Sequence, residues 1–260
     1  MKNNLIRKML WSLFFVLSAA GVCPAQMISY FPQFVDGTDP TAGGISWGTI
    51  IQISNPTTVT SSIVSGSITL KTNSGADMNI TLTDENGQPT DNNFMLGAGQ
   101  TKFFYSPRLT SSGAVPYSVG YAILTSNLQI AANLIFIEGN ANGPIALAGV
   151  PATNSALNRA VIFANANTGV AVANPFNVNL TLTFQYVDKS GAPIASTPAQ
   201  GVTRAINPNG HLAFFVSELF PSAPSTAVGT VRILSTNSFV ATALTFQNAA
   251  FGTVPVFPFQ

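Results

Sequence analysis

Residues 44–48 read GISWG and match the Gly-x-Ser-x-Gly pattern that surrounds the nucleophile of α/β-hydrolases. Asp188 and then His211 follow Ser46 in the chain order that those enzymes use. In such an enzyme the serine lies on a strained turn between a strand and a helix. Here a Gly-rich loop precedes Ser46, and residues 49–53 have the character of a strand. The sequence therefore predicts a loop that enters a strand, and not a catalytic triad.

His211 is the only histidine of the chain, and it follows Gly210 at the start of a predicted strand. Its counterpart in the first half of the chain is Gln100, which cannot act as an acid or a base. We expect His211 to be exposed at the end of its strand. The sequence has no His/Cys cluster of the kind that binds zinc or copper. No catalytic, cofactor-binding or metal-binding residue is predicted, and the protein is predicted not to be an enzyme.

Two groups of carboxylates could supply oxygen ligands to calcium. Asp36 and Asp39 form one group, and Asp84, Glu85 and Asp91 form the other. Neither has the regular ligand spacing of a calcium loop, and Asp beside Gly is typical of tight turns. No cofactor is predicted, and calcium in the Asp36–Asp39 loop is left open.

Exposed aromatic rings could form a platform for a sugar. Trp47 is the only tryptophan after residue 25, and Tyr117 is a second candidate. Most of the 19 Phe residues occupy alternating strand positions, which indicates a core role.

Residues 1–25 have the organisation of a secretory signal peptide. Three basic residues within the first eight precede an apolar run, and Cys23 and Ala25 supply the small residues expected before a cut at Gln26. The run is too short to be a convincing spanning helix. Lipidation of Cys23 is not expected, because Val22 stands where a lipidated cysteine requires a small residue.

Removal of this segment leaves seven basic and nine acidic residues, a net charge of −2. No basic stripe remains, which argues against a nucleic-acid partner. Cys23 is the only cysteine, so the exported part must be held together by core packing and strand pairing. The expected location is the periplasm, the cell surface or the medium.

Residues 119–136 and 228–246 read as two copies of one stretch. From Ile123 and Ile233 onward they align without a gap, at a shift of 110 residues. Both alternate with a period of two around a Ser/Thr-Asn turn, which predicts paired β-strands. Phe136 and Phe246 are predicted to be equivalent core residues.

Further landmarks recur in the same order. Asn-Pro occurs at Asn55 and Asn174, and Asp-x-x-Gly-x-Pro begins at Asp84 and Asp188. This order predicts an internal duplication with units at 26–150 and 151–260, which a cut in the linker should separate into folded fragments. The first unit is expected to carry an extra hairpin near residues 61–78. A single helical turn is predicted at residues 216–220, and everything else is predicted to form short antiparallel strands.

The Phe-Pro-x-Phe opening at residues 31–34, the Asn-Pro turns and the Asp-x-x-Gly-x-Pro turns resemble secreted bacterial proteins with tandem immunoglobulin-like β-sandwich repeats. The resemblance implies two β-sandwich units and an exported location, and it brings no catalytic residues. We therefore expect an exported, non-enzymatic structural or interaction protein of the adhesion type. The alternative is a secreted carbohydrate-binding module. The partner is accordingly another protein or an extracellular glycan, and no membrane span is expected after residue 25.

Overall fold

The computed structural model describes residues 26–41, 43–111, 113–247 and 250–259, so the predicted signal peptide lies outside the described residues. The described chain is all-β and antiparallel, as predicted. The first set of paired strands consists of β1 (Met27–Thr38), β2 (Ser46–Ser54), β3 (Val64–Thr72), β4 (Asn93–Leu96), β5 (Thr101–Tyr105), the short helix α1 (Pro107–Thr110), β6 (Ser118–Ser126), β7 (Ala131–Asn140) and β8 (Gly143–Pro151).

The second set consists of β9 (Leu157–Asn165), β10 (Thr168–Ala173), β11 (Leu180–Val187), β12 (Val202–Ile206), β13 (His211–Phe215), the short helix α2 (Val216–Leu219), β14 (Val228–Gln247), β15 (Ala250–Val254) and β16 (Val256–Pro258). We refer to β1–β8 as the first unit and to β9–β16 as the second unit.

Each unit has two layers of strands around a core. In the first unit, layer A has the order β4-β3-β6-β1 and layer B the order β5-β2-β7-β8. In the second unit, layer C has the order β12-β11-β14-β9-β16 and layer D the order β13-β10-β14-β15. Ile68 and Leu124 of layer A share one core with Ile51 and Leu134 of layer B.

The repeated stretches do not form hairpins. β6 pairs with β1 and β3 in layer A, whereas β7 pairs with β2 and β8 in layer B. In the second unit the same crossing takes place inside the continuous, 20-residue β14. The prediction that the two strands of each copy pair with each other is therefore wrong.

Over residues 119–136 and 228–246, strand pairing places equivalent residues of the two units 109 positions apart, whereas the sequence predicted 110. Gly120 and Gly229 mark the register, because a Cβ atom at either position would meet the carbonyl oxygen of the neighbouring strand. The distances would be 1.8 Å to Lys71 and 2.1 Å to Val187. When Asn55 is matched with Asn174, the pairing of β7 with β2 and of β14 with β10 gives the same shift of 109 residues.

A slip of one residue moves every side chain to the opposite face of a strand. Phe136 is buried in the first core, as predicted, but its counterpart in the observed register is Thr245. Phe246 points away from the second core and packs on the first unit instead. The predicted equivalence of Phe136 and Phe246 is therefore wrong.

The predicted Asn-Pro turns are built on fully buried amides. The Asn55 side-chain nitrogen donates to the carbonyl oxygens of Ser62 and Leu96, and Asn174 makes two bonds of the same kind. Since both amides are enclosed, these bonds replace the hydrogen bonds that water would make. Each Asn thereby fixes the path of two neighbouring segments.

The predicted Asp turns are also confirmed as local structures. The carboxylates of Asp84 and Asp188 each accept two backbone N–H groups of their own turn, and Gly87 and Gly191 have positive φ. β11 leads directly into the Asp188 turn, whereas β3 leads into a turn at residues 72–76.

The additional residues of the first unit lie mainly after that turn, at residues 79–92. The extra hairpin predicted near residues 61–78 is therefore misplaced. Residues 78–83, which fall among the short strands predicted for the rest of the chain, contribute only the isolated bridges of Thr83 to Pro89 and Tyr105.

The helical turn predicted before Pro221 is confirmed as α2. The sequence reading missed α1, although Pro107 occupies its first turn, where a proline is well tolerated.

The second unit packs the outer face of layer D against the first unit, and we call this contact the junction. Leu244 and Phe251 of the second unit belong to the hydrophobic core of the first. The Trp47 ring lies 5.5 Å from the Phe251 ring and 6.4 Å from the Phe246 ring. Tyr121 and Val240 are both fully buried where β6 meets β14. Apolar residues of the second unit thus complete the core of the first.

Replacement of Phe136 by Ala should lower the free energy of unfolding by about 3–5 kcal/mol, because it empties a fully enclosed ring site. Urea denaturation of the exported chain measures the loss. Phe163→Ala is the matched control, since this ring is 64% exposed, and it should change stability by no more than about 0.5 kcal/mol. Equal effects at the two positions would contradict the observed register.

A chain cut within the exposed connection at residues 154–156 should remain one particle, because separation would expose Leu244 and Phe251 to water. A protease recognition sequence inserted after Ser155 allows the cut, and size-exclusion chromatography measures the product. We expect both folded fragments in one peak of the native size. Two separate peaks would show that the junction does not hold the units together.

Candidate functional site

The structure does not bring Ser46, Asp188 and His211 into contact. Ser46 is the buried first residue of β2, as a loop entering a strand predicts, and its hydroxyl donates to the Gly139 carbonyl at 3.3 Å. Asp188 closes its own exposed turn. The His211 ring bonds to Asn73. Each of the three side chains is committed to a different neighbour.

The prediction that His211 is exposed is wrong, because only 4% of the residue is accessible to solvent. It lies at the junction, where its Nδ1 is 2.8 Å from Oδ1 of Asn73 and its ring stacks on Tyr121 at 6.3 Å. Burial lowers its pKa to about 4, and the Pro32 carbonyl opposes that shift only weakly. His211 is therefore neutral at pH 7. Strand pairing also makes its counterpart Thr101 rather than Gln100.

Asp36 and Asp39 serve different purposes. Asp36 is fully buried and accepts the Arg108 backbone N–H at 3.1 Å, and desolvation raises the pKa of its carboxyl. Asp39 accepts the backbone N–H and the hydroxyl of Thr41 within its own turn. Asp84 and Asp91 also bond within their own loops. Within the described ranges, no three His, Cys, Asp or Glu residues are grouped closely enough to hold a metal ion.

A cavity of about 380 Å³ lies at the junction, a volume typical of small-molecule sites. The second unit contributes small residues to its lining, among them Gly169 and Ala171 of β10 and Ala213 of β13. Because these residues are small, layer D leaves room between the units. The cavity is therefore produced by the packing of the two units and belongs to neither alone.

Aromatic rings form much of the cavity wall. The Phe246 ring centre lies 5.2 Å from that of Phe215 and 6.4 Å from that of Trp47, and all three rings line the cavity. Tyr117 is 39% exposed at the mouth of the cavity. Trp47 and Tyr117, the two rings considered from the sequence, thus line the same space.

The charged groups of the lining are acidic, and its neutral polar side chains include Gln33, Asn73 and Thr242. Asp39 and Glu218 supply carboxylates, and no Lys or Arg is among the described lining residues. Burial and the nearby Asp39 raise the pKa of Tyr117 to about 12, so its hydroxyl keeps its proton. Oε1 of Gln33 is buried without a hydrogen-bond partner among the described residues. A ligand with several hydroxyl or amine donors would match this lining.

Unpartnered polar atoms are concentrated at the junction. Within the described chain, four buried side-chain atoms make no hydrogen bond of normal geometry, and three of them belong to Gln33, Tyr121 and His211, although the His211 ring does interact with the Pro32 carbonyl. Buried polar groups are normally paired, and each unpaired one lowers the free energy of unfolding. The junction is therefore a place where the fold is less stable than full pairing would make it.

The sequence did not predict this site, because it forms between the two units and no short sequence pattern indicates that they are in contact. The available signal was the set of small residues at alternate positions of β10, namely Gly169, Ala171 and Ala173. Alternation of that kind predicts a close approach to another surface.

No helix in the described part of the chain is long and apolar enough to cross a membrane. No family model matches the chain, no curated protein is similar to it, and no solved structure matches it. Its function is therefore inferred from its own geometry.

The stability of the protein should fall by about 2 kcal/mol between pH 7 and pH 5 through His211 alone. Its folded pKa of about 4 lies below the ordinary value of 6.5, so the unfolded chain takes up the proton first. The contribution is complete above pH 6.5 and is lost progressively down to pH 4. Urea denaturation at several pH values measures it.

His211→Gln removes the titrating group and should flatten the pH dependence in this window, whatever its absolute stability. Asp36 and Glu138 cannot mimic the effect, because their raised pKa values stabilise the folded state on acidification. An unchanged slope in the Gln variant would contradict the assignment.

Proposed function

We propose that this chain is an exported, non-enzymatic interaction protein of the adhesion type, and that its binding site is the junction cavity. The observation that carries the proposal is the cavity itself, where aromatic walls, two carboxylates and the unpartnered Oε1 of Gln33 converge. Ligand sites favour apolar concave surfaces between domains that contain a few polar groups.

The two units descend, in this proposal, from one duplicated immunoglobulin-like β-sandwich with boundaries at 26–150 and 151–260. The support is a common order of strand pairing, a common buried Asn after β2 and β10, and a shift of 109 residues that persists through layers B and D. Residues 1–25 would direct export, and the absence of cysteine from residues 26–260 suits a protein held together by packing alone.

The non-enzymatic part of the proposal rests on the separation of the reactive side chains. Ser46 is engaged by a backbone carbonyl in layer B, and His211 is enclosed between Asn73 and Tyr121. A triad requires the serine and the imidazole within hydrogen-bond distance of each other.

A carbohydrate is the second candidate function, and the convergence of Trp47 and Tyr117 on one cavity favours it. Sugar rings stack their C–H faces on aromatic side chains while their hydroxyls donate to carboxylate and amide oxygens. The lack of Lys and Arg in the described lining favours a neutral saccharide over an acidic one.

Trp47 provides a direct test, because it is the only tryptophan after residue 25 and it belongs to the cavity wall. We expect a saturable change of its fluorescence when cellobiose, chitobiose or galactose is added to the exported chain. Tyr117→Ala should weaken that binding at least about tenfold, which corresponds to about 1.4 kcal/mol. Tyr105→Ala, on β5 and outside the cavity, is the matched control and should leave it unchanged.

The broader proposal is tested with a variant that fills the cavity. Ala171→Leu should abolish binding to whatever extracellular glycan or protein the exported chain retains on an array, without loss of fold. If both Ala171→Leu and Tyr117→Ala still retain the bound partner, the cavity is not the binding site. Retention of proteins alone would reject the saccharide and keep the interaction site.

A further inference from the structure

The outer face of layer C carries exposed aromatic side chains. Phe163 of β9 is 64% exposed and Phe257 of β16 is 45% exposed, and their rings meet edge to face at 6.3 Å. Val161 lies beside Phe257 in the strand register, and Val228 is 74% exposed at the start of β14. These four residues form a continuous apolar patch on the second unit.

Arginines flank the patch. Arg232 lies opposite Val161 in the pairing of β14 with β9, and Arg159 is exposed two positions earlier on β9. None of the five strands of layer C contains Asp or Glu. Among the described residues the one ion pair joins Lys71 to Asp77, so neither arginine has a carboxylate partner there. We call the patch with Arg159 and Arg232 the arginine face.

The first unit carries acidic residues in one segment beside the edge strand β4, where Lys102 is the nearby basic residue. Asp84, Glu85 and Asp91 belong to the additional segment at residues 79–92, and Met95 on the neighbouring edge strand β4 is 72% exposed. Asp84 and Asp91 bond only to groups of their own loops. We call these four residues the acidic edge.

The net charges of the two units have the same signs as these surfaces, negative on the first unit and positive on the second. Residues 26–150 contain seven acidic and three basic residues, for a net charge of −4, and residues 151–260 contain two acidic and four basic residues, for a net charge of +2. Oppositely charged surfaces on the two units attract copies of the molecule to one another in a head-to-tail arrangement.

We propose that the arginine face binds the acidic edge of a second copy of this chain. The arginines meet the carboxylates, and the exposed Phe163 and Phe257 rings cover the Met95 side chain, which would otherwise remain in water. A second copy is the occupant because one chain supplies both patches in equal number. Since the patches lie on different units, one contact leaves an arginine face and an acidic edge free, and further copies add to them until a ring closes or as an open chain.

The association should depend on salt, because exposed charges attract over a Debye length that salt shortens. Sedimentation velocity of the exported chain should show oligomers at about 20 mM NaCl and mostly monomer at about 500 mM. A monomer under both conditions would overturn the proposal.

Charge reversal tests the two patches separately. R159E/R232E and D84K/E85K/D91K should each weaken self-association at least about tenfold. An equimolar mixture of the two variants should associate again, because the acidic edge of the first variant can bind the arginine face of the second. Arg204→Glu, on the opposite edge strand of layer C, makes the same kind of charge change outside the patch and should leave association intact.

Trp47 fluorescence lies outside both patches and reports that each variant keeps its junction. Association that is unaffected by both sets of substitutions would overturn the proposal, as would a mixture that stays monomeric. Binding of polygalacturonate to the arginine face without any self-association would assign that face to an acidic polymer instead. Sugar binding at the cavity is measured on the same variants and should be unchanged, so the two proposals fail independently.

Discussion

The packing of layer D on the first unit is the contact on which the rest of the molecule depends. Leu244 and Phe251 complete a core that the first unit does not close by itself, and Trp47 lies against both Phe246 and Phe251. Without this contact the junction cavity would not exist, His211 would be exposed to water, and Tyr121 would lose its stacking partner. The hydrophobic effect is thus the source of the fold and also of the site.

The sequence predicted the features that depend on local chemistry. The turns at Asn55, Asn174, Asp84 and Asp188 formed as expected, because Asn, Asp and Gly satisfy neighbouring backbone groups within a few residues. The class of the fold followed from the alternation between those turns. Strand pairing was harder, since β6 and β7 resemble a hairpin in sequence but lie in opposite layers.

The error at Phe246 has a definite physical cause. An alignment by residue similarity preferred a shift of 110, because it matched Phe136 with Phe246 and Leu134 with Leu244. The strands instead follow a shift of 109, so that Leu244 and Phe246 at the end of β14 face the first unit while Ala243 faces the second core. Similarity of size cannot distinguish a residue that fills its own core from one that fills a neighbour's.

The small residues of β10 make the second unit different from the first at the surface that forms the junction. Gly169 and Ala171 leave room for the junction cavity, whereas the equivalent positions on β2 are Ile50 and Gln52, whose longer side chains would fill such a space. The order of the units consequently cannot be exchanged, and a third unit could not be stacked on layer B in the same manner. Growth by this contact therefore stops at layer B, and an assembly that extends from that side has to use a different surface of the protein.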